Sequence, residues 1–163
     1  MINCSHYHSP IGELLLAEED DALIGLWIKG QKYYPSSEFI HAISHSTPVL
    51  TSTQKWLDRY FAGQKPPPEE LPLAPLGTPF QQKVWNALCR IPYGQVTTYG
   101  QIAADLGISS AQAIGGAIGR NPVFIIIPCH RVVGAGGRLT GYAAGIEKKQ
   151  FLLSHEGVDL SCF

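Results

Sequence analysis

Residues 125–133 read Ile-Ile-Ile-Pro-Cys-His-Arg-Val-Val. Three consecutive β-branched residues predict a buried strand, and Pro128 ends it. A thiol and an imidazole follow as neighbours, Cys129 and His130. Successive side chains of a regular strand point to opposite faces, so the two can act together only if the backbone leaves the strand at or after Pro128. A free thiol, with a pKa near about 8.5, holds little thiolate at neutral pH, and His130 and Arg131 are placed to lower it. On its own such a pair is as compatible with an inert core as with chemistry, so the flanking sequence decides.

Upstream, Thr78-Pro79 opens a helix, threonine as cap and proline in the first turn. It presents Phe80, Val84, Trp85, Ala87, Leu88 and Ile91 on one face, and Pro92-Tyr93-Gly94 stops it. Thr97 or Thr98 caps a short helix ending at Gly107, and Ile108–Ser110 turns the chain into a third helix, AQAIGGAIGRN. Two helices joined by a short glycine-containing turn have the outline of a helix-turn-helix. The third helix carries Ala113, Gly115, Gly116 and Gly119, and each glycine costs a helix about 1 kcal/mol relative to alanine. Two readings fit: tight packing against another helix, or nucleic acid lying against this face.

Residues 64–78 hold five prolines without periodicity and predict a linker or surface crossover. It divides the chain into residues 1–63, residues 64–78 and residues 79–163. Within residues 1–63 a pair of apolar runs flanks the acidic turn Glu18–Ala22, a β-hairpin pattern, and Pro48–Phe61 has amphipathic helical spacing. The expected fold is an α/β N-terminal domain, a small antiparallel sheet with a helix. A mainly α C-terminal domain containing a helix-turn-helix follows.

The chain has 163 residues, 45% hydrophobic and 15% charged, enough to bury a core. No run of about 18 apolar residues predicts a membrane span. The N-terminus lacks the basic start of a secretory leader, so a cytoplasmic location is expected. The four cysteines form no Cys-x-x-Cys pair. Net charge is −1, but residues 1–78 carry five Lys/Arg against nine Asp/Glu, and residues 79–163 carry seven against four. A polyanion would meet residues 79–163.

Asn121-Pro122, five residues, then Pro128–Val132; Gly141-Tyr142, two residues, then Gly145; and Leu152–Gly157, ending His-Glu-Gly, form a spaced set. Over about residues 78–157 this set resembles the O6-alkylguanine-DNA alkyltransferase family. The resemblance implies DNA repair by direct, stoichiometric transfer of an alkyl group from O6-alkylguanine to Cys129, with O4-alkylthymine as a further candidate lesion and no cofactor. Cys129 would be the nucleophile. His130, through a water, would take its proton, and Glu156 would orient His130. Asn121 would tie the helix-turn-helix to the active-site segment. Tyr99 would donate to the flipped base, and Tyr142 would wall the pocket. Backbone groups of Cys129, Val132 and Ala143 would read the guanine edge, while Phe124 and Ala144 shape the alkyl pocket. The partner would be double-stranded DNA bearing the lesion, approached from the minor groove by a monomer. Gln112, Ala113, Gly115, Gly116, Arg120 and Arg131 would lie at the DNA. The family pattern Arg-Ala-Val-Gly reads Gln112-Ala113-Ile114-Gly115 here, so the side chain that fills the vacated base position is shorter and uncharged. One branch of the family binds zinc in its N-terminal domain. Cys4, His6, His8, His41 and His45 lack the full ligand set, so no metal is expected and the histidines read as surface residues.

Two rivals remain open from the residues. One is a lesion-binding relative in which the cysteine is replaced. The other is a Cys-His hydrolase, which would turn over repeatedly.

Overall fold

The structure is a computed structural model and describes residues 2–35, 43–44 and 46–162. The chain forms two compact units: residues 1–76 with 122–124, and residues 77–121 with 125–163.

In the first unit β1 (Ile2–Ser9), β2 (Gly12–Glu19) and β3 (Ala22–Ile28) form an antiparallel meander. The predicted acidic turn joins β2 to β3. Asp20 and Asp21 both take positive φ, 51° and 61°, the backbone a two-residue hairpin needs and one that aspartate tolerates. A two-residue strand, β4 (Ile43–Ser44), pairs parallel with β1 and makes the sheet mixed, a feature without sequence signal. Leu14 to Ala17 are all buried, as are Leu23, Ile24, Leu26, Trp27 and Ile28. Strands apolar on both sides need cover on both faces. Cys4, Leu15, Ala17, Ile24 and Trp27 form one cluster, and α1 (Pro48–Phe61), capped by Thr47, packs on the sheet.

The proline-rich segment is pinned rather than loose. Leu23 N donates to Pro72 O at 2.7 Å, Ala74 N donates to Leu23 O at 2.8 Å, and Trp56 Nε1 donates to Pro67 O at 2.9 Å. Leu26 exchanges backbone bonds with Pro122 O and Phe124 N. Segments far apart in sequence thus cover the free edge of β3, which would otherwise offer unpaired backbone groups.

The second unit is mainly helical: α2 (Pro79–Leu88), α3 (Tyr99–Leu106), α4 (Ala111–Gly119) and α5 (Ile146–His155). The predicted caps form. Thr78 and Gln81 make a reciprocal capping box, and Thr98 accepts from the third residue of α3; Ser110, read from the sequence only as part of the turn, likewise caps α4. Gly107 closes α3 in the left-handed conformation. Trp85 Nε1 reaches from α2 to Ala117 O of α4 at 2.9 Å.

One expectation fails. Ile125–Ile127 is buried but is not a strand. Only Val123 makes an isolated bridge, and Phe124–Ile126 form a turn with Ile125 at φ 71°. A β-branched residue there costs about 1–3 kcal/mol and persists only where packing over-determines it; Ile125 is wholly buried. The strand lies after the cysteine instead: β6 (Val132–Val133) pairs parallel with β5 (Thr97–Thr98).

Replacing Thr78 by alanine should lower stability by about 1 kcal/mol through loss of the cap. A reduced chemical-denaturation midpoint with an unchanged slope is the expected result.

Candidate active site

Cys129–Arg131 form a single 3-10 turn between the Ile125 turn and β6, so thiol, imidazole and guanidinium leave the backbone in three directions. Cys129 N donates to Ile127 O at 2.8 Å, and Asn121 Nδ2 donates to the same carbonyl at 2.8 Å. Asn121, just past α4, thereby ties that helix to the turn before the sulfur, as the sequence suggested.

Cys129 is 2% exposed. Burial pushes its thiol up to about 11; the Asn121 and Tyr142 hydrogen bonds to the sulfur and the nearby Lys149 charge act the other way. The expectation that His130 and Arg131 lower the thiol is therefore overturned. Desolvation outweighs every nearby donor and charge, and Arg131 is committed elsewhere.

That commitment is to Glu156, the residue that closes α5. His130 Nε2 lies 2.6 Å from Glu156 Oε2, Arg131 Nε donates to Oε1 at 2.7 Å, and Nη2 donates to Oε2 at 3.1 Å. Gly94 N adds a bond to Oε1 at 3.3 Å. Gly94 sits at φ 80°, and a Cβ there would stand 3.1 Å from the backbone carbonyl oxygen of Glu156, so any side chain at this position would be strained and crowd the end of α5. Arg131 Nη1 donates to Ile91 O at 2.7 Å, and its guanidinium lies 5.7 Å from the Tyr93 ring centroid. Arg131, expected at the DNA, is buried and faces inward, because the carboxylate and the Ile91 carbonyl take its donors.

Burial raises the Glu156 carboxyl, but the hydrogen bonds from His130 and Arg131 and the Arg131 charge prevail and hold it well below the usual carboxylate range. Burial pushes His130 down, against the hydrogen bond and charge of Glu156, which act the other way. With Nε2 on the carboxylate, His130 Nδ1 meets no protein partner.

Tyr99 opens α3 and is partly buried; its hydroxyl donates to Thr140 O at 3.4 Å. Lys149 Nζ donates to the same carbonyl at 2.9 Å and lies 6.0 Å from the Tyr99 ring centroid. Lys149 is wholly buried, and burial pushes its amine down to about 8. Sequence reasoning missed it: lysine on an amphipathic helix reads as solvated. Successive helix residues lie about 100° apart, so Lys148-Lys149 gives no local sign that one of the two is inside. Tyr142 and Ala143 lie partly exposed in the glycine-rich segment before α5, with Ala144 beside them. Val132 is buried in β6 and its N–H bonds to Cys129 O, while Phe124 is buried.

Gln112, Ala113, Gly116 and Arg120 share the exposed face of α4, opposite buried Ile114, Ala117 and Ile118. A Cβ on Gly116 or Gly119 would meet nothing within 4 Å, and one on Gly115 would only touch the Tyr99 ring at 3.8 Å. Packing against another helix therefore does not require these glycines.

In the first unit Cys4 is buried while His6 and His8 are exposed, and no group of three metal-ligating side chains occurs among the described residues. His41 and His45 lie outside the described residues. No helix among those residues is long and apolar enough to cross a membrane.

A closed thiol shares one turn with an imidazole held by a buried carboxylate from the end of α5, near a small-residue helix face, the groups that a single-cysteine transfer centre would need. Comparison with known proteins identifies which kind. Residues 79–158 match the DNA binding domain of 6-O-methylguanine DNA methyltransferase, and residues 2–75 match the ribonuclease-like domain of the same proteins. The chain is 44% identical over 153 residues to a methylated-DNA–protein-cysteine methyltransferase of Methanosarcina acetivorans, covering 93% of this chain and 96% of that one. It is also 44% identical to the constitutive enzyme of Bacillus subtilis, with 92% of each covered. The crystal structure of Mycobacterium tuberculosis OGT in complex with DNA superimposes with a TM-score of 0.83 at 40% identity, covering 94% of this chain and 92% of that one. The chain belongs to the 6-O-methylguanine DNA methyltransferase family.

The ionised Glu156 contributes stability that is present above the ordinary carboxylate pKa and lost as pH falls below it. Acid titration of the folded protein should show a loss of stability below about pH 4.3. That loss should be reduced in Glu156→Gln, measured as denaturation midpoint against pH.

Proposed function

We propose that this protein repairs DNA by transferring the alkyl group of O6-alkylguanine to its own Cys129, once per molecule. The observation that carries the reading is the Cys129-His130 turn locked to Glu156 through a 2.6 Å contact, in a chain of this family.

DNA lies against the exposed face of α4, approached from the minor groove, where the absent side chains at Gly115, Gly116 and Gly119 leave room for the backbone. Helices α3 and α4 act as the helix-turn-helix, and Arg120 meets a phosphate. O6 of guanine is stacked within the duplex, so the nucleotide is flipped out at a cost of a few kcal/mol. Gln112 fills the vacated position less completely than an arginine would. The closed sulfur requires the segment bearing Tyr142 and Ala143 to yield as the base enters. A monomer suffices, since all the groups invoked lie in one chain.

In the pocket the Cys129 proton passes to His130 Nδ1, through a water, while Glu156 holds Nε2. The sulfur attacks the alkyl carbon; the S–C bond forms as the C–O6 bond breaks. Guanine leaves with the electron pair and takes a proton from Tyr99, which His130 ultimately replaces. Lys149 adds positive charge beside the developing thiolate and, with Tyr99, holds the Thr140 carbonyl. Backbone groups of Cys129 and Ala143 face the guanine edge. The thioether has no route back to a thiol, so the protein is consumed.

Incubation with a methylated oligonucleotide should add about 14 Da, the mass of one CH2 group in place of hydrogen, to the peptide containing Cys129 and stop at about one equivalent. Repeated product release, or label on another residue, would overturn the reading. Glu156→Gln should slow transfer by about 10²-fold or more, as loss of the general-base relay does. Gln112→Arg should speed transfer from duplex DNA while leaving transfer from a free O6-alkylated base unchanged; equal rates on duplex would discard the role given to Gln112. Lys149→Met should slow reaction with the free base as well as with DNA, because the charge acts on the sulfur rather than on DNA.

A further inference from the structure

Arg131 is buried, bonded through three nitrogens, and kept from DNA by those bonds. Its contact with Glu156 is more than a brace, because the same carboxylate oxygen, Oε2, takes both Arg131 Nη2 and His130 Nε2. We propose that Arg131 is a positioning residue whose fixed charge balances Glu156, so that His130 rests as a neutral imidazole able to accept the Cys129 proton. The proposal rests on the functional reading above and deepens it.

The argument is one of charge balance. His130 and Glu156 have fully buried side chains, and Arg131 is nearly so. A buried carboxylate has to be balanced, either by a fixed cation or by a bound proton. Arginine does not release its proton, so it can only be the fixed cation. With Arg131 present, Glu156 and Arg131 sum to zero, and a proton on His130 would leave a net charge in the interior. Without Arg131, the carboxylate loses the cation bonded to it and draws a proton, which sits on the Glu156–His130 hydrogen bond. An imidazolium cannot take a second proton from a thiol. Arg131 thus lets the carboxylate orient the ring without charging it, at some expense in base strength.

The other groups around the cluster reinforce this. Lys149 on α5 adds a positive charge that acts on both His130 and Cys129. Tyr93, in the turn before β5, has its phenol raised by burial and the Glu156 charge and stays neutral, as does Tyr99 at the start of α3. Cys129 rests as a thiol. Arg131 thus touches the carboxylate directly with two of its nitrogens, and Ile91 O and the Tyr93 ring keep it from swinging out.

The test is the rate of alkyl gain on Cys129 from a methylated oligonucleotide across about pH 5–9.5, with His130 protonation followed in the resting protein by NMR of its ring nitrogens. Arg131→Met should move the acid limb up by about one pH unit or more, the effect of removing an adjacent charge. Between the wild-type limb and the shifted one its rate then falls below its own alkaline plateau while the wild-type rate does not. Arg131→Lys, which keeps the charge, should hold the acid limb near the wild-type position. The double variant Arg131→Met, Glu156→Gln, which removes both charges, should return the limb towards wild type even though its plateau is low. Should Arg131→Met fail to fold, Arg131→Gln offers a neutral side chain that still donates to the carboxylate. Superimposable acid limbs and unchanged His130 titration in the neutral variants would overturn the proposal and leave Arg131 a packing role. A wild-type protein that gains no alkyl mass at any pH would instead sink the functional reading, while the His130 titration would still decide the charge balance.

Discussion

The carboxylate of Glu156 is where the second unit is tied together. It takes donors from the turn before β5 through Gly94, and from the 3-10 turn of the nucleophile through His130 and Arg131, while its own backbone closes α5. Three segments separated by up to 62 residues in sequence meet on two oxygen atoms. Removing one partner of a buried ion pair typically costs about 3–5 kcal/mol, because the other charge is left unpaired. The same bonds that hold the segments also set the imidazole's orientation, so stability and chemistry draw on one interaction here.

The sulfur is governed by an opposing pair of influences. Burial keeps it protonated, whereas Asn121, Tyr142 and Lys149 are arranged to favour the anion. At rest burial prevails. In the proposed reaction deprotonation is thus coupled to the arrival of the electrophile rather than completed before it, and the groups that favour the thiolate act where charge develops. Interactions stronger in the transition state than in the ground state are the ones that accelerate a reaction.

Local signals carried most of the architecture. Caps at Thr78 and Thr98, the acidic turn at the hairpin and the glycine after α3 marked element boundaries because each acts on backbone groups within a few residues. What was not legible depends on tertiary context. Three isoleucines have the composition of a strand, yet packing forces Ile125 into a left-handed turn. Arg131 and Lys149 look like surface charges in any one-dimensional reading, and only the fold brings a carboxylate to one and the Thr140 carbonyl to the other. The family resemblance singled out Cys129, His130, Asn121 and Glu156, which the fold brings into one hydrogen-bonded cluster, but the direction of the thiol's shift was not legible, since burial has no local signature.

A molecule that works only once is a stored reagent, and storage imposes its own demand. Oxidation by peroxide proceeds through an exposed thiolate, and Cys129 is neither exposed nor ionised at rest. Its closed, protonated state therefore gives the sulfur a long shelf life among the oxidants of a living cell, keeping each copy unspent until the one encounter that uses it.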